Sequence, residues 1–201
     1  MDTAQAVGSI TLQGSAQIVA EFFDYSINNI LYQRGLYNET YFSRETHYGL
    51  PLMITKDKEL KDYLKKVTSS LEGWLAAGTL SHVVLVIEDV ETKDVIERWQ
   101  FNINCDQIQK TTSETAPPLK KIQESIRNVI RQIVSSVTFL PVIESKCDFD
   151  LLFYTAKDAE RPASMRLTDE RLIEGGQDVA LRDFDTGYHR VDGRVSYKCV
   201  E

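Results

Sequence analysis

The stretch from Ile122 to Thr155 constrains the fold of this chain more than any other segment. Its first half places apolar residues at helical spacing, which gives a helix one apolar face. These residues are Ile122, Ile126, Val129, Ile130, Ile133 and Val134. Pro117 and Pro118 stand just ahead, where a helix start tolerates proline, and Pro141 prevents continuation. The sequence therefore predicts an amphipathic helix that ends before Pro141.

From Cys147 the period of the pattern becomes two, which predicts a strand through Thr155. One face carries only apolar residues: Cys147, Phe149, Leu151 and Phe153. The other face begins acidic and ends apolar: Asp148, Asp150, Leu152 and Tyr154. Such a mixture indicates a strand that is only partly covered, at or near a sheet edge. A strand of this kind followed by a long polar tail favours a peptide clamp over an active site.

The preceding residues predict the rest of an α+β domain. We expect a central helix from Leu12 that ends at Gly35, and a second helix that Thr55 caps and Gly78 ends. The residues between them, 36–55, read as an irregular connection. Val83–Ile87 reads as a strand covered on both faces, and Val95–Ile103 as its hairpin partner. Three helices on one face of a mainly antiparallel sheet follow from this order.

The residues after Ala156 carry turn signals between short apolar pairs, so their structure should depend on what they pack against. The last alternating stretch predicts a hairpin that turns at Asp192 and Gly193. Residues 106–116 read as a flexible loop and residues 1–9 as a flexible N-terminus. A length of 201 residues predicts a single domain.

Composition and motifs argue against several function classes. The net charge of −7 and the scattered basic residues disfavour nucleic-acid binding. The sequence shows no secretory signal and no apolar run near the ~20 residues of a membrane span. The odd number of widely spaced cysteines favours reduced thiols in the cytosol or nucleus. Metal-ligand and nucleotide-loop motifs are missing, so we expect no metal and no cofactor. An enzyme that uses Cys105 or Cys147 remains the alternative from another class.

Several blocks resemble the HORMA-domain family and, within it, the spindle-checkpoint branch. They are Gly14–Ala16 with Ile18–Phe23, Ile30–Gly35, Glu97–Phe101, Ile130–Ile133, Val137–Pro141, Phe149–Leu152 and Tyr154–Thr155. The similarity runs from about Ile10 to Tyr197. It implies one HORMA domain over residues 10–201, with a core of about 10–156 and a mobile C-terminal "safety belt" of about 157–199.

The resemblance also implies a mechanism. Family members are binding proteins that hold two folds, open and closed. In the closed fold the belt crosses the sheet and traps a partner peptide against the strand that it vacates. The residues implied for peptide binding are Phe149, Asp150, Leu151, Leu152, Phe153, Tyr154 and Tyr197. Those implied for the hinge and turn of the belt are Lys157, Asp158, Asp192 and Gly193.

Partners follow from the same resemblance. They are the checkpoint scaffold called mitotic arrest deficient protein one, the activator of the anaphase-promoting complex, a closed-state adaptor, a remodelling ATPase, and a second copy of the chain in an asymmetric open–closed dimer. The implied dimer and adaptor surface comprises Arg131, Gln132, Thr138 and Phe139. The implied function delays anaphase until kinetochores attach, in the nucleus, at kinetochores and in the cytoplasm. A HORMA adaptor of another complex, such as a translesion DNA polymerase, is the alternative within the family.

Overall fold

A computed structural model describes residues 10–105 and 117–199. In this part of the chain, three helices pack on one face of a six-stranded antiparallel sheet, beside a separate two-stranded hairpin. The helices are α1 (Leu12–Gln33), α2 (Lys58–Ala77) and α3 (Leu119–Ser135). The strands are β1 (Phe42–His47), β2 (Leu50–Thr55), β3 (Leu80–Asp89), β4 (Val95–Asn104), β5 (Cys147–Thr155), β6 (Gln177–Ala180), β7 (Phe184–Asp185) and β8 (Arg190–Tyr197). The predicted α+β class and its three helices are confirmed.

The helices begin and end where side chains and glycines satisfy their free backbone groups. Thr11 caps α1, and Gly35 follows its end with a φ of +67°. The predicted cap of α2 is wrong by two residues, because the side chain of Asp57 accepts from the N–H of Leu60 at 2.8 Å. Thr55 instead ends β2, and its hydroxyl accepts from the N–H of Asp57 at 3.2 Å.

The irregular connection expected between α1 and α2 is a β-hairpin. Its two-residue turn is Tyr48-Gly49, with φ values of +52° and +67°. Such a turn matches the twist of paired strands. Asn29 and Asn28 on α1 accept from the N–H groups of Met53 and Thr55 at 3.1 and 2.9 Å. These buried amides fix the hairpin to the core, an attachment that the local sequence does not reveal.

The large sheet has the order β5-β3-β4-β8-β6, and β7 also pairs with β8. Val83 to Ile87 on β3 are all buried, as predicted. Alternate residues of this run pack under the helices, whereas Val84 and Val86 form a smaller cluster with Leu152 on the opposite face. The prediction that β5 lies at a sheet edge is confirmed.

The predicted turn at Asp192 and Gly193 is wrong, because both residues lie inside β8 opposite Asn102 and Phe101 of β4. A Cβ atom on Gly193 would lie 2.9 Å from Cδ1 of Phe101, so glycine is needed here for a close approach and not for a turn. The chain turns instead at residues 186–189, where Gly187 has a φ of +90°.

The predictions for residues 1–9 and 106–116 lie outside the described residues. Among the helices of residues 10–105 and 117–199, none is long and apolar enough to cross a membrane.

Candidate functional site

The outer edge of β5 presents backbone groups that no other described strand uses. One row of opposed residues runs across the sheet through Gly193, Phe101, Val83 and Phe153. The carbonyl of Gly193 faces away from β4, because it accepts from the N–H of Leu181 at 2.8 Å. Along such a row, directly opposed residues on neighbouring antiparallel strands point their backbone N–H and C=O groups either toward each other or away from each other, and the two cases alternate across the sheet. The backbone N–H and C=O groups of Phe153 therefore face away from β3.

The same alternation assigns the neighbouring residues of β5. Phe149 and Leu151 are four and two residues before Phe153 on the same strand, so their backbone N–H and C=O groups also face outward. The backbone groups of Tyr154 face β3 instead, and its carbonyl accepts from the Ser81 hydroxyl of β3 at 2.9 Å. The edge therefore offers Phe149, Leu151 and Phe153 to a partner strand.

Two of these outward N–H groups already have acceptors. The N–H of Phe149 donates to Oδ1 of Asp148 at 2.8 Å. The N–H of Leu151 donates to Oδ1 of Asp150 at 2.8 Å. Each carboxylate thus occupies the donor of the residue that follows it.

An aromatic wall flanks the edge on the helix side. Phe149 lies between Tyr37 and Tyr63, with ring centroids 6.2 and 6.1 Å away, and Phe153 contacts Trp74 at 5.5 Å. Burial, together with the charge of Asp150, raises the pKa of Tyr63 to about 12. On the other face of the sheet Tyr154 stacks on His82, with ring centroids 4.0 Å apart, and burial lowers the pKa of His82.

Residues 156–176, the crossing segment, run past the edge without pairing with β5. Lys157 and Asp158 form a turn directly after the strand. The indole N–H of Trp74 then donates to the carbonyl of Glu160 at 2.8 Å. Arg171 reaches an ion pair with Glu88, at the opposite end of β3 from the start of the segment. The crossing segment is therefore anchored to α2 near its start and to the far end of β3 near its end.

The end of the chain docks on the far side of β4 through both apolar and polar contacts. Val191 and Val195 enter the main core. The imidazole of His189 is fully buried, with Nδ1 2.6 Å from the Ser15 hydroxyl of α1 and Nε2 3.1 Å from the Leu75 carbonyl of α2. Burial lowers the pKa of His189, so the neutral ring donates from Nε2 and accepts at Nδ1.

The residues predicted for peptide binding divide into two places. Phe149 to Tyr154 all lie on β5. Tyr197 does not, because two strands separate β8 from β5, and its hydroxyl donates to Gln177 at 3.0 Å. Sequence reasoning missed Tyr37, Tyr63 and Trp74 as the wall of the edge, since their contribution depends on how α2 and the residues after α1 pack beside β5.

The residues predicted for a dimer surface lie on and just after α3. Arg131 is exposed, and Phe139 is 42% exposed although it is a large apolar residue. Thr138 donates from its hydroxyl to the Ser135 carbonyl at 2.8 Å. Gln132 bonds instead to the docked C-terminal segment, donating to the Ala180 carbonyl at 3.1 Å and accepting from the Arg182 N–H at 2.7 Å.

A buried ion pair stands elsewhere in the core. Nε of Arg34 lies 2.9 Å from Oε2 of Glu97, and the indole N–H of Trp99 donates to Oε1 at 2.6 Å. A cavity of about 610 Å³ adjoins the pair and is lined by residues 141–145 and the ends of β4 and β8, not by β5. The described residues contain no group of three His, Cys, Asp or Glu side chains that could hold a metal ion.

Comparison with known proteins matches residues 15–189 to the HORMA domain family. "Mitotic spindle assembly checkpoint protein MAD2A" of Homo sapiens is 47% identical over 193 residues, covering 94% of this chain and 93% of that protein. "Mitotic spindle checkpoint component MAD2" of Saccharomyces cerevisiae is 41% identical over 192 residues, covering 94% of this chain and 98% of that protein.

Solved structures agree with this family match. A chain in the crystal structure of the mitotic checkpoint complex superposes with a TM-score of 0.84 at 36% identity, covering 93% of this chain and all of that one. HTP-2 of C. elegans, bound to the HIM-3 closure motif, shares the fold with a TM-score of 0.73 at 16% identity, covering 96% of this chain and 93% of that one. This chain belongs to the HORMA domain family.

Proposed function

We propose that this protein is a spindle assembly checkpoint protein that delays anaphase by clamping peptide segments of its partners beside β5. One observation carries the proposal. The outer edge of β5 has no strand partner within residues 10–105 and 117–199, and β8 is docked beyond β4, two strands away from β5. The similarity to checkpoint relatives across the chain supports the biological role.

Binding would occur by strand addition. An extended peptide would pair with the outward groups of Phe149, Leu151 and Phe153, which supply affinity through the backbone. Alternate side chains of the peptide would meet the aromatic wall on one side and Tyr154 on the other, which supplies selectivity. In this scheme the crossing segment would pass outside the peptide, so release would require local unfolding and would be slow.

We infer that the described arrangement, with β8 beside β4 and the outer edge of β5 free of a described strand, is the closed fold of this scheme. In the open fold, the C-terminal segment would leave β4 and cover β5. That exchange breaks the contacts of His189 and Gln132, among others, so it is a rearrangement between two packed states. A partner peptide shifts the balance because it binds only where β5 is vacant.

We infer that the partners are the checkpoint scaffold, the activator of the anaphase-promoting complex, a closed-state adaptor and a remodelling ATPase. The protein acts by binding rather than by catalysis, in the nucleus, at kinetochores and in the cytoplasm. The match to the HORMA domain family and the similarity to relatives named as checkpoint proteins support this reading.

The test measures the dissociation rate of a fluorescent peptide from the binding segment of the checkpoint scaffold, chased with unlabelled peptide and followed by anisotropy. The full chain should release the peptide over many minutes. A truncation without the last ten residues loses most of β8 and should release it quickly. Fast release from the full chain, or slow release from the truncation, would contradict the clamp.

A second experiment addresses the surface of α3. Arg131→Ala removes an exposed side chain and should weaken self-association while peptide affinity stays within about twofold of the parent. Gln132→Ala is the contrasting variant, because Gln132 also holds the C-terminal segment. It should therefore accelerate peptide release as well. Analytical ultracentrifugation measures the dimer, and an unchanged dimer in Arg131→Ala would exclude this surface.

A further inference from the structure

We propose that Asp148 and Asp150 are internal caps of the β5 edge, which a partner strand must displace and which therefore set the rate of strand addition. The inference rests on the proposed function. It assigns to the two carboxylates a role other than contact with the peptide.

The geometry supports this role at two consecutive outward positions. An outward N–H of an edge strand is the donor that an added strand uses, and an unpaired row of such groups invites pairing with any extended chain. At Phe149 and Leu151 that donor is occupied, each by an oxygen 2.8 Å away on the preceding residue. A carboxylate is a stronger acceptor than the peptide carbonyl that would replace it.

The third outward position provides an internal comparison. The residue before Phe153 is Leu152, which has no acceptor in its side chain, so the same cap cannot form there. The backbone N–H groups near the Phe149 end of the edge are thus capped by carboxylates, whereas the N–H of Phe153 has no such cap from the preceding residue. Strand addition would begin beside Phe153, near Trp74, and extend toward Phe149 as each carboxylate is displaced.

The surroundings of the carboxylates explain why they can be displaced. Asp148 is exposed and Asp150 is partly exposed, so water can solvate each carboxylate once its bond is broken. An exposed charge-assisted hydrogen bond of this kind is worth far less than a buried one. A cap of this strength slows nonspecific pairing, whereas a peptide that also fills the aromatic wall still displaces it.

The first test uses the protein without any peptide. Amide hydrogen exchange by NMR, referred to the intrinsic rate of each sequence, should show greater protection at Phe149 and Leu151 than at Phe153. The double variant Asp148→Ala/Asp150→Ala should lower the protection of the first two about tenfold and leave Phe153 unchanged. Asp148→Asn/Asp150→Asn keeps an acceptor oxygen and should stay within about threefold of the parent. Unchanged protection in the alanine variant overturns the proposal.

The second test measures association of the scaffold peptide by stopped-flow fluorescence. Free donors should raise the association rate of the alanine variant about threefold to tenfold, whereas the asparagine variant, whose neutral oxygen caps the donor more weakly than a carboxylate, should show a smaller rise. A rate that falls equally in both variants would mean that the carboxylates attract the peptide by charge, which overturns the cap. If the parent protein binds no peptide, the proposed function fails, and the exchange measurement still decides whether the caps exist.

Discussion

His189 links the docked C-terminal segment to pH. Its imidazole is buried between Ser15 of α1 and Leu75 of α2, and burial lowers its pKa in the folded chain. In the unfolded chain the ring titrates near 6.5. The unfolded state therefore binds the proton more tightly, so its population grows as the pH falls below about 6.5.

The size of the stability loss follows from the one additional proton that the unfolded state binds at His189. The contribution of His189 to stability is constant at pH values above its unfolded pKa and declines by at most about 1.4 kcal/mol for each pH unit below it. Between pH 7.5 and 5.5 we expect a loss of up to about 1.4 kcal/mol. This is a sizeable share of the roughly 5–15 kcal/mol that stabilises a typical domain.

Urea denaturation followed by tryptophan fluorescence measures the effect, since Trp74 and Trp99 are both buried. The variant His189→Gln removes the titrating ring, so the difference between parent and variant isolates its share. This subtraction matters because burial lowers the pKa of His82 and raises that of Asp24, and both groups also contribute to the pH dependence. His82→Gln is the matched control. A pH dependence that is the same in His189→Gln and in the parent would refute the reasoning.

Two further substitutions test contacts that hold the sheet. Gly193→Ala places a Cβ 2.9 Å from Phe101 and should cost about 1–3 kcal/mol of unfolding free energy, whereas Gly73→Ala in α2 meets nothing within 4 Å and should be neutral or stabilising. Equal stability of the two variants would argue against the close approach. Glu97→Gln leaves the buried guanidinium of Arg34 without its counter-charge and should cost about 3–5 kcal/mol in the same denaturation assay. A cost below about 1 kcal/mol would show that the pair is not needed.

Periodicity predicted the elements whose packing is local or strongly patterned. The apolar stripe of α3 and the alternation of β5 both fix a face, and both predictions are confirmed. The β1–β2 hairpin was missed because its strands depend on Asn28 and Asn29 of a distant helix. The only local signal was the glycine at position 49, which suits the two-residue turn.

The C-terminal segment shows a second limit of prediction from local sequence pattern. The alternation of β8 is visible in the sequence, yet the pair Asp192-Gly193 predicts a turn, since Asp-Gly is frequent in hairpins. The close approach of Phe101 explains the glycine instead, and that reason exists only when β8 lies beside β4. Because Gly193 is required by its contact with Phe101 of another strand, its sequence neighbours alone suggest the wrong role for it.

The placement of β8 cannot follow from local pattern for a physical reason. Each edge of the β5-β3-β4 sheet offers unpaired backbone groups to an alternating strand, so pattern alone does not choose between them. Contacts outside the strand favour the β4 edge. They include the His189 network, the hydrogen bonds of Gln132 to Ala180 and Arg182, and the packing of Phe184 on Phe22 at 4.8 Å. If the proposed exchange between the two edges occurs, weakening the hydrogen bonds of His189 and Gln132 should shift the segment away from β4 before it unfolds the core.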